Sequence, residues 1–286
     1  VENFRPGVMD RLGVGYAVLK QINPRLVYAS ISGYGTYGPY KDRPGYDVIA
    51  QGMSGLMYLT GQADAPPTRV GSSIGDTVAG MNAVIAILAA LYSRMQTGKG
   101  QMVETSLVDG LISLSTQDYI RYFAGGEVPC RMGNIYKAWA PYGTYKAADG
   151  YYNLGVGTDA HFRQFAQAIE CPEMAEDPRF LTHADRVANR EAMDSIINAW
   201  AADKTVAEVC ARLQGAQIPC APVLDVPQVI QNPHIRDHRN MFPSYDQPKA
   251  GQVTVTNIPV KTPGITPVPL SPAPELGQHT HDVLQE

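Results

Sequence analysis

The sequence predicts an α/β protein with a large α/β domain and a smaller α+β domain. Its 286 residues are enough for about two domains. Near the start, a helical apolar pattern is followed by a strand-like run and a glycine-rich loop, an order typical of α/β layers. After Cys130 the pattern changes to short hairpin-like stretches and separate helices, which indicates the second domain.

The first elements of the chain lead to a candidate site. Apolar residues at helical spacing predict a helix over Asp10–Ile22. The run Arg25–Ser32 alternates and contains β-branched residues, so it predicts a buried strand. The next loop, 33–40, interleaves glycines with three tyrosines. Because loops at the carboxyl ends of strands commonly form sites in α/β sheets, this loop is the first site candidate.

Three helices and a strand complete the first region. A helix is predicted over Asp47–Leu59, where small residues permit close packing. Gly75-Asp76 then opens the most apolar helix of the chain, which runs to about Gln96 and ends at Gly98. We expect a strand over Gln101–Thr105 and a further helix over 107–123.

The second region begins with a hairpin pattern around the turn signal Asp149-Gly150. From Pro227 onward, prolines and alternating apolar residues indicate extended structure that returns toward the first region. Helical patterns lie between these two stretches, over Ala160–Glu170, Arg190–Ala202 and Val206–Leu213.

Composition excludes several classes of protein. The hydrophobic share of 44% and charged share of 17% exclude disorder, collagen and coiled coil. With 23 Lys and Arg against 27 Asp and Glu, no basic field attracts nucleic acid. The longest apolar stretch, Val78–Tyr92, is interrupted and shorter than the roughly 20 residues that span a bilayer. We therefore expect a buried helix and no membrane partner.

Cysteine and histidine usage bears on compartment and metals. The four cysteines are widely spaced and include no Cys-x-x-Cys pair, which fits a reducing cytoplasm better than a disulfide framework or a zinc ribbon. The histidines are scattered, and the close pair His279 and His281 would face apart on a helix, so we predict no metal site. The P-loop motif Gly-x-x-x-x-Gly-Lys-Ser/Thr is missing from the sequence.

Asp76 is the remaining candidate for chemistry, because it lies at or near the start of the most apolar helix. An Asp there commonly caps the helix, contributing about 0.5–2 kcal/mol. A carboxylate can instead attack acyl groups as a nucleophile, with neighbouring backbone N–H groups stabilising the oxyanion. The residues alone leave both roles open.

Short motifs, in order along nearly the whole chain, resemble those of one enzyme family. They are Glu2-Asn3-Phe4-Arg5-Pro6-Gly7, Ile22-Asn23-Pro24-Arg25-Leu26, Ser32-Gly33-Tyr34-Gly35 with Gly38-Pro39-Tyr40, Gly45-Tyr46-Asp47, Ile74-Gly75-Asp76, Thr97-Gly98-Lys99-Gly100-Gln101, Asp149-Gly150-Tyr151, Ile218-Pro219-Cys220-Ala221-Pro222-Val223 and Leu276-Gly277-Gln278-His279-Thr280. In these motifs the chain resembles the class III CoA-transferases, the group of formyl-CoA transferase and carnitine CoA-transferase. Each motif alone is weak evidence for the resemblance, but the occurrence of all of them in the family's order is specific to that family.

The resemblance implies an activity and its nucleophile. The Asp of the family's Gly-Asp pair corresponds to Asp76. The implied reaction moves CoA from an acyl-CoA donor to a carboxylic acid acceptor through aspartyl-anhydride and aspartyl-CoA thioester intermediates. It implies no cofactor, since the CoA thioester is itself the substrate. A capping role for Asp76 is compatible with this one.

The resemblance also implies binding residues. Asn3, Phe4 and Arg11 match positions that touch CoA in the family, and Tyr46 and Asp47 match a Tyr-acidic pair beside the nucleophile. The structural alternatives are a capping Asn, a core Phe, a surface Arg and an ordinary helix start.

For the fold, the resemblance implies a discontinuous, Rossmann-like large domain from residues 1–125 and 228–286. The small domain and its connectors would cover 126–227. Family members carry a further N-terminal segment before the Glu-Asn-Phe motif, so we expect the large domain of this chain to lack that part. Family dimers are interlocked like chain links, which predicts an interlocked homodimer.

Two other functions stay open. An α-methylacyl-CoA racemase resembles the same family, but it needs two acid/base groups and carries His at the position of Tyr46. A tyrosine hydroxyl, with an ordinary pKa of about 10, exchanges protons poorly at neutral pH, which favours the transferase. The second alternative is an inactive CoA-binding partner subunit, suggested by the absent N-terminal segment.

The donor and the acceptor are not fixed by the sequence. Arg131-Met132-Gly133-Asn134 replaces the polyglycine loop of the formyl and oxalate enzymes, so formyl-CoA and oxalate are not the first substrates we expect. Tyr34, Tyr37, Tyr40 and Arg43 offer hydroxyl and guanidinium donors suited to a second carboxylate. This favours hydroxylated or dicarboxylic acceptors.

Overall fold

The computed structural model describes residues 1–262, 264 and 269–286 of the chain. The fold is mixed α/β, as predicted. The helices are α1 (Val8–Arg11), α2 (Tyr16–Ile22), α3 (Asp47–Met53), α4 (Leu56–Leu59), α5 (Ile74–Thr97), α6 (Leu107–Leu114), α7 (Thr116–Gly125), α8 (Asp159–Ala168), α9 (His183–Ala188), α10 (Arg190–Ala201), α11 (Val206–Gly215), α12 (Val226–Gln231) and α13 (Thr280–Gln285). The strands are β1 (Tyr28–Ser32), β2 (Met102–Ser106), β3 (Tyr142–Lys146), β4 (Tyr151–Gly155), β5 (Cys220–Pro222), β6 (Ser244–Gln247) and β7 (Gly251–Thr254).

Strands β1 and β2 form a parallel pair, with Ser30 opposite Glu104. The connection between them carries α3, α4 and α5, because parallel strands need a long crossover. Glu2 extends the pairing with a parallel bridge to Ser30. This pair therefore gathers the N-terminal segment, the tyrosine loop and the start of α6 around one small sheet.

Strands β3, β4 and β5 form a second sheet in that order, and β6 and β7 form an antiparallel hairpin. The predicted turn at Asp149-Gly150 is confirmed between β3 and β4. The prediction of extended structure from Pro227 is wrong at its start, because Asp225 and Gln228 form a capping box that opens α12. The part of that segment at 263 and 265–268 lies outside the described residues.

Three helices predicted as single are each broken in two. Two of the breaks each contain a glycine in the left-handed backbone conformation. Gly13 lies between α1 and α2 and Gly55 between α3 and α4, both with φ 75°. A right-handed helix cannot continue through that conformation. Between α6 and α7 the break falls at Ser115.

Helix α5 has 24 residues and a largely exposed apolar face. Its buried residues are small and include Ala79, Ala83 and Ala90. The expectation of a buried helix is therefore wrong for its large side chains, the exposed ones being Met81, Val84, Ile85, Leu88, Tyr92 and Met95. Among the described residues, α5 is long enough and, over an 18-residue stretch with a mean hydropathy of 1.8, apolar enough to cross a membrane, a test that core helices of soluble proteins also pass.

The small side chains of α5 pack into a core with α3 and α6. Ala79 lies in one buried cluster with Ala50, Leu107 and Leu111. Gly110 of α6 faces α5 so closely that an added Cβ would lie 3.1 Å from Cγ1 of Val78. This packing fixes the start of α5 against α3, which is where Asp76 lies.

The chain divides into two compact units, one of residues 1–144 and 154–197 and the other of residues 145–153 and 198–286. The predicted division into a Rossmann-like large domain (1–125 and 228–286) and a small domain (126–227) stays a prediction.

The first unit contains a buried arginine, Arg186 of α9, which is 1% exposed. Its guanidinium donates to the carbonyl oxygens of Ala140 (3.2 Å) and Phe180 (3.0 Å) and to Oδ1 of Asp159 (2.5 Å). It also lies 4.5 Å from the ring centroid of Phe162. The charge is therefore buried with its hydrogen bonds made, as burial of a charge requires.

The second unit contains two neighbouring free thiols, one buried and one half-buried. The Sγ atoms of Cys210 in α11 and Cys220 in β5 lie 3.3 Å apart. Burial raises the pKa of both thiols above their ordinary value. Thiolate, the reactive form, is therefore disfavoured at this pair.

Candidate active site

Asp76 lies in the first turn of α5 with its side chain exposed. The predicted capping role is wrong, because the N-cap position belongs to Ser73, and the side chain of Ser73 makes no capping bond. The pKa of Asp76 is raised, first by removal of surrounding water and second by the negative charge of Asp47. The exposed carboxylate is therefore a stronger base than an ordinary aspartate.

Asp47, the first residue of α3, is buried beneath the start of α5. Its Oδ1 accepts the backbone N–H of Gly75 at 2.8 Å, and its Oδ2 accepts Nε2 of Gln51 at 2.8 Å. Nη1 of Arg69 lies 3.6 Å from the same Oδ2. The structure thus brings the side chain of Asp47 directly to the residue before Asp76.

Gly75 has no room for a side chain. A Cβ at this position would lie 3.1 Å from Oδ1 of Asp47 and 3.3 Å from Cδ1 of Leu111. The glycine before Asp76 is therefore a packing requirement of the α3, α5 and α6 contact. Because the Gly75 N–H already donates to Asp47, it is not available to an oxyanion at Asp76.

Tyr46 precedes Asp47 and is 72% exposed at the N-cap position of α3. The residue before it, Gly45, contacts Gly33 backbone to backbone, since a Cβ added to Gly33 would lie only 2.7 Å from Cα of Gly45. The loop that follows β1 therefore returns to the start of α3. This places the tyrosine loop on the same side of the unit as Tyr46.

Inside that loop, Tyr34 and Tyr40 meet edge to face with ring centroids 5.8 Å apart. The guanidinium of Arg43 stacks 3.7 Å from the centroid of Tyr40. The backbone N–H of Thr36 donates to Oε2 of Glu104 at 3.1 Å, and its hydroxyl contacts the same oxygen. These contacts tie the loop to β2 and hold its donors in one cluster.

The N-terminal segment carries the other predicted binding residues. Glu2 pairs with β1, its N–H donating to the carbonyl of Ala29 at 2.9 Å. Asn3, Phe4 and Arg11 are all exposed. A core role for Phe4 is excluded by its 53% exposure, and the contacts of these three side chains with CoA stay predictions.

A cavity of about 280 Å³ lies beside the same segment. Its lining is shared by the N-terminal turn, β1 and the loop after it, and includes Arg5, Asp10, Tyr28 and Lys41. Charges of both signs line it, so it favours a polar ligand over an apolar one.

Gln51 and Arg69 are two site residues that sequence reasoning missed. Gln51 is fully buried and lies one helical turn after Asp47, so both side chains lie on one face of α3. That spacing is the signal that could have found it. Arg69 gives no such signal, because its approach to Asp47 depends on the path of the loop before α5.

Among the described residues, no group of three or more His, Cys, Asp or Glu side chains is placed to hold a metal ion. The chemistry available at the start of α5 is that of an exposed carboxylate with a raised pKa, near the positive end of a helix dipole. Such a group can attack an electrophilic carbonyl.

Comparison with known proteins assigns the family. The family model for CoA-transferase family III matches residues 1–280. The chain therefore belongs to CoA-transferase family III and is a class III CoA-transferase, as the resemblance predicted. A CAIB/BAIF family protein from Brucella suis has a similar structure, with a TM-score of 0.85 and 35% identity over 99% of this chain and 74% of that one.

Relatives with named activities are CoA-transferases. The chain is 36% identical to the succinyl-CoA:mesaconate CoA-transferase of Haloarcula hispanica, over 100% of this chain and 72% of the relative. It is 39% identical to the acetyl-CoA:oxalate CoA-transferase of Acetobacter aceti, over 92% of this chain and 66% of the relative. It is 33% identical to the succinyl-CoA--D-citramalate CoA-transferase of Chloroflexus aurantiacus, over 100% of this chain and 71% of the relative.

Proposed function

We propose that the protein moves CoA from an acyl-CoA donor to a carboxylic acid through covalent intermediates on Asp76. The observation that supports this most is the hydrogen bond from the Gly75 N–H to Asp47, because it fixes the helix start that presents Asp76 to solvent.

The first half of the reaction loads CoA onto the protein. An ionised oxygen of Asp76 attacks the thioester carbonyl, the C–S bond breaks, and the products are an aspartyl anhydride and CoA thiolate. The thiolate then attacks the Asp76 carbonyl of the anhydride. This releases the donor as a carboxylate and leaves an aspartyl-CoA thioester.

The second half reverses these steps with a new acid. The acceptor carboxylate attacks the Asp76 carbonyl of the thioester, giving a second anhydride and CoA thiolate. The thiolate attacks the acceptor carbonyl, which forms the new acyl-CoA and restores the Asp76 carboxylate. No net proton or electron is transferred, so the four steps balance without a redox partner.

The described residues supply position and charge for these steps. Asp47 anchors Gly75, so the carboxylate of Asp76 starts from a fixed backbone. The negative charge of Asp47 also raises the pKa of Asp76, which makes the ionised oxygen more basic. Tyr46, exposed at the start of α3, is the polar aromatic side chain next to this pair.

For the acceptor we propose a dicarboxylic or hydroxylated acid. Tyr34, Tyr40 and Arg43 form one contact cluster in the loop after β1, and together they offer hydroxyl and guanidinium donors for a second carboxylate. Relatives named for mesaconate, citramalate and oxalate support the same class of acceptor.

We further propose that the protein forms an interlocked homodimer in the cytoplasm. A stable monomer in light scattering would contradict the proposed dimer.

The activity is tested by incubating the purified protein with succinyl-CoA or acetyl-CoA and a panel of acids. The panel contains mesaconate, citramalate, glutarate, oxalate and monocarboxylic acids of increasing chain length. We expect ping-pong kinetics, since the donor leaves before the acceptor binds. Exchange of the α-proton without an acceptor would instead indicate a racemase, and CoA binding without turnover an inactive partner subunit. Transfer to monocarboxylic acids alone would contradict the acceptor proposal.

A further inference from the structure

Gln51 of α3 is a fully buried polar side chain whose amide nitrogen and amide oxygen both make hydrogen bonds. Its Nε2 donates to Oδ2 of Asp47 at 2.8 Å, and its Oε1 accepts the backbone N–H of Val70 at 2.9 Å. The orientation of the amide is settled by its partners, because only Nε2 can donate to a carboxylate and only Oε1 can accept an N–H.

Together with Asp47, this amide holds both ends of the segment that leads into α5. Gln51 accepts the backbone N–H of Val70, and Asp47 accepts the backbone N–H of Gly75. Because Gln51 and Asp47 also bond each other, three linked hydrogen bonds connect the two ends of segment 70–75. Between these anchors lie Gly71, Ser72 and Ser73, which are small and exposed, and Ile74, which is half-buried.

The segment also has local hydrogen bonds: the carbonyl of Gly71 accepts Nη2 of Arg69 at 3.0 Å, and the carbonyl of Ser72 accepts the Ile74 N–H at 2.8 Å. The side chain of Ser73 makes no capping bond, so the first turn of α5 lacks the usual hydrogen bond from its N-cap residue. Gly71 has nothing within 4 Å of an added Cβ and therefore sits in open space. The bonds to Asp47 and Gln51 thus replace the cap that this helix start does not have.

We propose that Gln51 is a positioning residue that fixes segment 70–75 and, through it, the carboxylate of Asp76. This inference rests on the proposed role of Asp76 as the nucleophile. A displacement of about 1 Å at a reacting group can cost about a hundredfold in rate, so loss of this support should appear in kcat.

The first variant is Gln51→Met, which keeps a similar length and removes both hydrogen bonds. Ser54→Ala is the matched control, because Ser54 is also buried at the end of α3, and its Oγ bonds only the Gln51 carbonyl, at 3.3 Å. We expect Gln51→Met to lower kcat by about ten- to a hundredfold with the KM for acyl-CoA within about twofold of wild type. Ser54→Ala should change neither constant by more than about twofold.

Hydrogen–deuterium exchange gives a readout that does not depend on activity. A peptide covering 70–75 should take up deuterium faster in Gln51→Met than in wild type, while peptides from β1 and α6 stay unchanged. An increase spread over the whole unit, or an equal increase in Ser54→Ala, would mean that Gln51 only supports the fold, and would overturn the proposal. Unchanged uptake at 70–75 would overturn it as well.

Exchanging the acid and the amide between positions 47 and 51 tests whether these two side chains bridge the segment. Gln51→Glu sets a second carboxylate against Asp47 and should also raise uptake at 70–75. In the double variant Asp47→Asn with Gln51→Glu, the new amide can accept the Gly75 N–H and donate to the new carboxylate, which still accepts the Val70 N–H. Uptake at 70–75 should therefore return toward wild type, and failure to return would contradict the proposed bridge.

These measurements separate the inference from the function on which it rests. If the wild-type protein transfers no CoA, the proposed function fails, and deuterium uptake at 70–75 still decides whether Gln51 holds the segment. If wild type transfers CoA and Gln51→Met retains full kcat, the proposed function stands and the positioning role fails.

Discussion

Oδ1 of Asp47 accepts the backbone N–H of Gly75 at 2.8 Å, so a buried side chain of α3 holds the residue that precedes Asp76 in α5. This one bond joins Asp47, whose charge raises the pKa of Asp76, to the backbone next to that proposed nucleophile. Position and basicity of Asp76 therefore depend on the same residue.

Asp76→Asn should abolish CoA transfer while the stability of the fold is kept. The substitution removes the ionised oxygen but no cap, since Asp76 does not cap α5. Hydroxylamine added with acyl-CoA should leave a mass change on the peptide containing Asp76 in wild type only. Asp109→Asn is the matched control, because Asp109 is the third residue of α6, as Asp76 is of α5, and is also exposed. A trapped adduct on Asp109 or Asp47, or full turnover in Asp76→Asn, would disprove the assignment.

Asp47→Asn should move the acid limb of the kcat/KM profile to lower pH. Asp47 raises the pKa of Asp76, and the nucleophile must be ionised, so removing that charge lets Asp76 ionise at lower pH. Asn can still accept the Gly75 N–H, which limits the structural change. A pH profile whose acid limb stays in place or moves upward would contradict this account.

The same raised pKa predicts how stability depends on pH. Because the folded state raises the pKa of Asp76 above 3.8, it favours the protonated form; this contribution is present below pH 3.8 and is lost as pH rises through the folded pKa. Wild type should therefore lose stability relative to Asp76→Asn as pH rises from below 3.8 to neutral. Urea unfolding of both proteins across that range measures the difference, and a constant difference would refute the prediction.

Gly75→Ala should lower stability by about 1–3 kcal/mol, because the new methyl group is pressed against Oδ1 of Asp47 and Cδ1 of Leu111. Gly80→Ala provides the control in the same helix, where nothing lies within 4 Å of an added Cβ. That variant should gain about 0.5–1 kcal/mol from the higher helix propensity of alanine. Urea unfolding distinguishes the two signs, and a gain in Gly75→Ala would show that the contact is not tight.

Arg186→Met should cost about 3 kcal/mol of stability, because the carbonyls of Ala140 and Phe180 lose a buried donor. Arg179→Met, which removes a surface pair with Asp177, should cost much less, because water screens an exposed pair. The hydrogen bond from Arg186 also lowers the pKa of Asp159, so that part of the stability is present above pH 3.8 and is lost as pH falls through the folded pKa. Equal losses in the two arginine variants would contradict the role given to burial.

The sequence predicted the candidate carboxylates of the site but not the residues that hydrogen-bond or pair with them. Asp76 and Asp47 could be found because each lies in a short motif at a predicted helix start. Gln51 was missed because its spacing from Asp47 shows only that the two side chains share a helix face, and does not show which groups its amide bonds. The approach of Arg69 to Asp47 was equally hidden, since it depends on the course of a loop.

Helix continuity and burial were the less predictable parts of the fold. The glycines at 13 and 55 lie inside apolar patterns that look helical, and only their left-handed backbone shows that the helix ends. The composition of α5 predicted burial, yet the alanines face the core while Leu88 and Tyr92 are exposed. Hydrophobic content measures how apolar a helix is and does not specify which of its faces a neighbour covers.

The contact between Gly33 and Gly45 makes residues 34–44 a closed ring on the surface of the protein. Its two ends lie in main-chain contact, so we expect that the residues between them can be replaced, lengthened or shortened while Asp47 stays in place. If the ring binds the acceptor as we propose, changes confined to it would alter the acceptor acid. The carboxylates at the start of α5 would then stay unaltered as the substrate range diverges.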